Sequence, residues 1–290
     1  MRRHDGSDPQ QLERLRELAS RLMTRPTRWH PGELTSFWWL DWRADGSRIA
    51  AWEDDGRCVA WARVGPSGRL DLQVDPARPT ALDAVLGWFE QQVPVEDRVV
   101  TVADVENGLL DDLRRRSWEP SGEAPVFEHL EVGLGGPSHD ARVPPGVSLR
   151  HCRGPADATL RARIHRAAFG PSTARLPSEG FRRAMSDPSY RRELDWVAVL
   201  ADDDPVAACT TWVDVASRTA VVEPVGTHPD HRRRGFAQAV VLASLASAAD
   251  LGATRARVCG RVDADDRAAL ATYESIGFRR IGRTVHLRAV

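Results

Sequence analysis

The chain has 290 residues, 42% of them apolar and 28% charged, enough to fill one large core or two of ordinary size. Its formal net charge is −1, and no apolar run approaches the ~20 residues of a membrane helix, which argues against a membrane span and against nucleic-acid binding through a marked basic surplus. The four cysteines are scattered without a CxxC pair and no apolar stretch follows Arg2 and Arg3, so the expected setting is a reducing cytoplasm, without a metal cluster or disulfide framework.

That average charge hides a split. Residues 1–133 hold 17 arginines against 24 acidic residues, net −7, whereas residues 134–290 hold 23 against 17, net +6. Lysine is absent. The C-terminal half is the one equipped to hold an anion.

In chain order, residues 9–22 read as a helix with Asp8 as N-cap and Pro9 at the first helical position. Trp38 and Trp42 share a helical face and read as core, with a substrate wall as the alternative. Residues 48–53 and 58–64 form a hairpin about Asp54-Asp55-Gly56. Residues 69–74 make a third strand, 82–91 a helix, 99–102 a strand and 109–116 a helix. Residues 134–146, rich in Gly and Pro and without apolar periodicity, mark a linker between domains at 1–133 and 147–290.

Beyond it, residues 147–152 alternate as a strand and 155–169 space Leu160, Ile164 and Ala168 as a helix. Residues 170–194, interrupted by Pro171, Pro177 and Pro188, leave room for one short helix. Strands at 196–200 and 206–215 turn through Asp202 to Pro205, and a third follows at 219–227. A long helix over 235–251 closes at Gly252. A strand at 255–260, a helix at 265–276 and one or two strands over 278–290 complete a mixed sheet with helices on both faces. The first half repeats this order: residues 113–118 align with 273–278, and 127–132 with 285–290, so the fold class is α/β with two tandem copies.

The informative run leads from the strand at 219–227 through His228-Pro229-Asp230 into His231-Arg232-Arg233-Arg234-Gly235-Phe236-Ala237. The first N–H groups of a helix lack intrahelical partners and its dipole is positive there, which suits a phosphate. Gly235 and the small Ala237 permit close backbone approach, and Arg232 to Arg234 add charge. Without lysine the loop is not of Walker-A type. Three adjacent arginines commonly form only a solvated cluster; the preceding strand, Gly235 and the following helix favour the phosphate site.

The segment Arg232-Arg233-Arg234-Gly235-Phe236-Ala237 resembles the [RQ]-x-x-G-x-[GA] signature of the GNAT (Gcn5-related N-acetyltransferase) superfamily, preceded by the V-x-x-H-P of Val225 to Pro229. A second family pattern, N-x-x-A-x-x-x-Y-x-x-x-G-F, is similar to Asp266, Ala269, Tyr273, Gly277 and Phe278, with Asp in place of Asn. The layout of two such domains in one chain is also similar to the mycothiol synthase family. The resemblance implies direct transfer of an acetyl group from acetyl-CoA to an amine in a ternary complex, with no covalent intermediate and no metal. It implies CoA contacts from Val225, Gly226, Thr227, His231 to Ala237, Asp266 and Tyr273, and a proton donated to the leaving thiolate by Tyr273.

Glu223, on the face of Val225 and Thr227 by the period of two, reads as a candidate base, or else as a structural edge position before Pro224. His228 and His231 read more simply as turn residues than as bases, and Cys259 as packing. In the first half, Val74 to Thr80 has no R-x-x-G-x-A and Leu113 stands where the tyrosine falls, so that copy is expected not to bind CoA. The expected acceptor is a small-molecule amine, not nucleic acid or membrane, with one active site per chain in a monomer or homodimer. The alternative is a non-catalytic acyl-CoA sensor or interaction module.

Overall fold

The computed structural model describes residues 1–6, 9–42, 45–123, 125–135, 143–170, 178–262 and 267–289. The first half runs β1 (Arg2–Asp5), α1 (Pro9–Leu22), α2 (Pro31–Phe37), a π-helical turn (Trp38–Trp42), β2 (Arg48–Asp54), β3 (Arg57–Val64), β4 (Arg69–Val74), α3 (Thr80–Gln92), β5 (Val99–Ala103), α4 (Asn107–Arg114), β6 (Trp118–Ser121) and β7 (Phe127–Gly133). The second half runs β8 (Ser148–His151), α5 (Ala158–Phe169), α6 (Ser178–Ala184), β9 (Asp195–Val199), β10 (Pro205–Asp214), β11 (Thr219–Thr227), α7 (Phe236–Asp250), β12 (Arg255–Arg261), α8 (Ala268–Ile276) and β13 (Arg279–Ala289).

Helix α1 forms because Leu12, Leu15, Leu18, Ala19 and Leu22 recur at helical spacing, and all are buried. Burial of each fully covered leucine contributes about 1.5–3 kcal/mol. Trp38 and Trp42 are buried in the core, where Trp42 meets Trp29 at 5.7 Å and stacks on Phe37 at 5.9 Å. β1, α2 and β6 have no counterpart in the pattern reading, each being too short to show a period. The closing segment is one strand, β13. Asp8, Pro171, Pro177, Asp266 and most of the 134–146 linker lie outside the described residues.

The strands join into one sheet in the order β1-β2-β3-β4-β5-β13-β7-β12-β11-β10-β9-β8, with β6 also on β13. Two strands are exchanged between the halves. β7 of the first half lies between β12 and β13, whereas the end of β13 (Thr284 to Arg288) pairs with β5 of the first half. Most sheet contacts are antiparallel, but each half holds one parallel pair: Arg69 to Asp71 on Val99 to Thr101, and Thr219 to Val221 on Arg255 to Arg257. Past these three residues the strands of each pair diverge, giving each half a V-shaped opening.

Candidate active site

The V between β11 and β12 opens on a cavity of about 830 Å³ lined by Val225, Gly226, Thr227, the 229–238 loop and the α8 face carrying Ala268, Thr272 and Tyr273. Two small residues shape it. A Cβ on Gly260 would stand 2.7 Å from Leu270, so its absence lets α8 lie on β12 and sets Tyr273 one turn further along. A Cβ on Gly226 would stand 2.9 Å from Ala168, so this glycine brings β11 against α5 while its backbone still borders the cavity.

The loop after β11 borders the cavity and leads into α7. A 3-10 turn at Pro229–His231 leads to Arg233 at φ 59 and Gly235 at φ 80, both left-handed. Such a φ costs a non-glycine residue free energy, which the surrounding turn must offset. Gly235 is the N-cap of α7, and the first helical bond runs from the Ala239 N–H to the Gly235 carbonyl at 3.0 Å. The N–H groups of Phe236, Ala237 and Gln238 therefore have no intrahelical acceptor. The arginines divide their tasks. Arg232 donates to the Ala168 carbonyl at 3.0 Å, tying the loop to α5. Arg234 lies 4.8 Å over the Phe236 ring and 3.0 Å from His231 Nδ1. Arg233 lines the cavity itself. Buried in the same lining, Thr227 Oγ1 has no hydrogen-bond partner. Open amides, arginines and an orphaned hydroxyl around one cavity fit a phosphate-bearing thioester.

Tyr273 is 6% exposed, edge-on to Phe278 at 5.9 Å. Burial pushes its hydroxyl well above the ordinary tyrosine value, and the charges of Glu223 and Cys259 push it further. It therefore stays protonated at neutral pH. The Cys259 thiol is pushed up as well, first by burial and then by the charges of Glu223 and Glu33.

The period-of-two placement of Glu223 does not hold. Thr211 faces Val222 and Cys209 faces Val225, so the single Thr210 stands opposite both Glu223 and Pro224. This bulge slips the alternation by one residue. Val222 and Val225 pack with Phe236 and Tyr273, while Val221 packs on the opposite face with Trp212. Glu223 consequently does not share the face of Val225; the indole of Trp212 donates to its carbonyl at 2.8 Å. His228 and His231 lie in the exposed turn as expected, with His228 accepting from the Asp230 N–H at 3.4 Å. Among the described residues no His/Cys/Asp/Glu group fits a metal ion, and no helix is long and apolar enough to cross a membrane.

The sequence reading missed His30 and Glu33. Both are buried, 0% and 7% exposed, and form a capping box at the start of α2, with the Glu33 carboxylate on the His30 N–H at 2.9 Å and the His30 ring on the Gly32 N–H at 3.0 Å. His-Pro-x-Glu is a weak signal, since Ser, Thr, Asp and Asn are the usual caps.

Residues 162–278 match the family described as Acetyltransferase (GNAT) family. No curated protein sequence matches the chain. Among solved structures, a tandem GNAT protein from the clavulanic acid biosynthesis pathway superposes with a TM-score of 0.64 at 14% identity, covering 99% of this chain and 98% of that one. A GNAT-family acetyltransferase from Colwellia psychrerythraea gives 0.62 at 12% identity over 100% of both chains. A GCN5-related N-acetyltransferase from Sphaerobacter thermophilus gives 0.59 at 17% identity over 98% of this chain and 94% of that one. By sequence, residues 162–278 carry a GNAT-family acetyltransferase domain, and along its whole length the chain shares the fold of solved GNAT proteins, a tandem GNAT protein among them.

Proposed function

We propose that the chain is an N-acetyltransferase that moves the acetyl group of acetyl-CoA to a primary amine of a small molecule, by direct attack within a ternary complex. Residues 147–290 carry the reaction, 1–133 form the degenerate copy and 134–146 link them. The observation that supports this most is the single cavity joining the Gly235 helix start to the buried hydroxyl of Tyr273. Acetyl-CoA supplies the activated acyl group. The open amides of Phe236 to Gln238 and the Arg233 guanidinium hold its phosphates, and the N–H groups of the β11 end, Val225 to Thr227, face its acyl end. Tyr273, kept protonated by burial, donates its proton to the departing thiolate. Glu223, whose charge bears on both Tyr273 and Cys259, takes up the proton that the attacking amine releases, directly or through water.

A thiol-release assay over a panel of primary amines tests this reading. Tyr273→Phe, which keeps the ring packing, should lower kcat by roughly 10²–10⁴-fold with little change in acetyl-CoA KM. Wild-type protein that binds acetyl-CoA but acetylates no amine would rule the reading out.

A further inference from the structure

The segment from Met23 to α2 crosses the second V on the face away from α7 and α8. Its bonds show the path. Arg255 and Arg257 of β12 donate to the carbonyls of Met23 and Thr27, each at 3.0 Å. His30 Nε2 then meets Thr219 Oγ1 of β11 at 3.0 Å. At the next turn, a Cβ on Gly32 would fall 2.2 Å from Trp212 Cβ and 2.9 Å from Val221 Cγ1, so α2 starts hard against β10 and β11. Glu33 follows immediately, and Glu223 stands two residues beyond Val221 on the strand that α2 touches.

Glu33 is occupied on one side only. Its Oε2 accepts the His30 N–H at 2.9 Å, and its second oxygen has no hydrogen-bond partner among the described residues. Across the V, β7 sets His129 opposite Cys259, and the buried His129 Nε2 also lacks a partner. The open Glu33 oxygen is therefore available to a ligand, and the buried His129 nitrogen is costly unless something hydrogen-bonds to it.

We propose that Glu33, brought by the N-terminal half, receives the acceptor's ammonium group in a chamber shared with Glu223, Cys259 and His129, on the side of the V away from Tyr273. The inference rests on the N-acetyltransferase reading and gives that reaction its acceptor class: a small cationic amine bearing a hydrogen-bonding group beside the nitrogen, which meets the open nitrogen of His129. Burial pushes the Glu33 carboxyl up to about 7, against weaker lowering by the His30 N–H and the charges of Arg28 and Arg257. An entering ammonium supplies the charge that favours the ionised form. Burial likewise drives the His129 ring down to about 3, so it meets the acceptor neutral. Glu223 differs from Glu33 in its reach: its charge acts on Tyr273 as well as on Cys259. It sits at the aperture between the two sides, with Glu33 further from the thioester.

Glu33→Gln separates binding from capping, because glutamine at this position of a capping box still accepts the His30 N–H. With the best amine from the panel, the acceptor KM should rise about tenfold or more, the loss expected for one hydrogen bond to a charged group. The acetyl-CoA KM, kcat and melting temperature should stay near wild type. Glu33→Ala, which loses the cap too, should also melt earlier. Wild-type turnover with an unchanged acceptor KM in Glu33→Gln overturns the chamber and leaves the acetyltransferase standing. Acetyl-CoA binding without turnover of any amine overturns both.

Discussion

The two V-shaped openings begin alike and end differently. Each starts from a three-residue parallel pair, β4 with β5 and β11 with β12. In the first half the diverging strands are bridged by polar side chains. Gln73 of β4 donates to Thr27 Oγ1 at 2.9 Å, Thr27 donates to Glu106 at 3.3 Å, and Glu106 accepts the Ala103 N–H of β5 at 2.8 Å. Arg28 adds bonds to Asp71 of β4 at 2.7 Å and to the Thr101 carbonyl of β5 at 3.1 Å. The loop after β4 carries Asp75, whose carboxylate accepts the Ala77 N–H, and α3 starts after Pro79 without a side-chain cap. After β11 the corresponding loop has three arginines and a left-handed Gly235 over an open cavity. A closed V contributes to stability, whereas the open one leaves polar groups for a ligand to satisfy.

Three changes test this contrast. The largest effect belongs to the closed V. Asp71 is 5% exposed and paired with Arg28 at 2.7 Å and Arg63 at 2.9 Å, which together hold its carboxyl below the usual range against the effect of burial. Asp71→Asn removes the carboxylate that Arg28 and Arg63 share and should cost about 3 kcal/mol in urea unfolding. Calorimetry should still find one acetyl-CoA per chain; a second binding event would show that the closed V is a latent site. Next comes the open V. Gly235→Val forces a β-branched residue to φ 80, costing about 1–2 kcal/mol, so acetyl-CoA should bind roughly tenfold more weakly. Arg78→Ala, in the loop of the closed V, should leave that affinity unchanged, and equal losses in both variants would erase the distinction.

The smallest effect probes the seam between the halves. Burial lowers His30 to about 3, while the unfolded chain titrates near 6.5. The unfolded state therefore takes up a proton that the folded state refuses. This contribution is present above pH 6.5 and lost as pH falls toward 3, at up to about 1.4 kcal/mol per pH unit. His30→Asn keeps a capping side chain and removes the titration. Its stability should fall less steeply between pH 6 and 4, and a slope equal to wild type would place the acid sensitivity elsewhere.

What could be read from the residues alone follows from how local each signal is. The strand, turn and helix start around Gly235 and the helix that carries Tyr273 were legible because these elements follow one another within a few residues, each with its own period. The direction of Glu223 was not, since a bulge against Thr210 breaks the alternation without marking the sequence. Helix α2 spans only Pro31–Phe37 and is capped by a histidine, so neither length nor cap announced it. The similarity of residues 127–132 to 285–290 showed a repeat, but the pairing of those strands with the opposite halves depends on partners more than a hundred residues away.

That exchange also bears on how the chain can be made. β7 is synthesised early yet has its sheet neighbours in β12 and β13, and β5 waits for Thr284 to Arg288 at the far end. Neither half can complete its sheet until residues 279–289 have left the ribosome, so the first half cannot finish folding before the second is made. Until β13 is made, β5 and β7 expose unpaired edges able to recruit strands from other chains. The late arrival of β13 thus completes the sheets of both halves through contacts of long range, which slow folding.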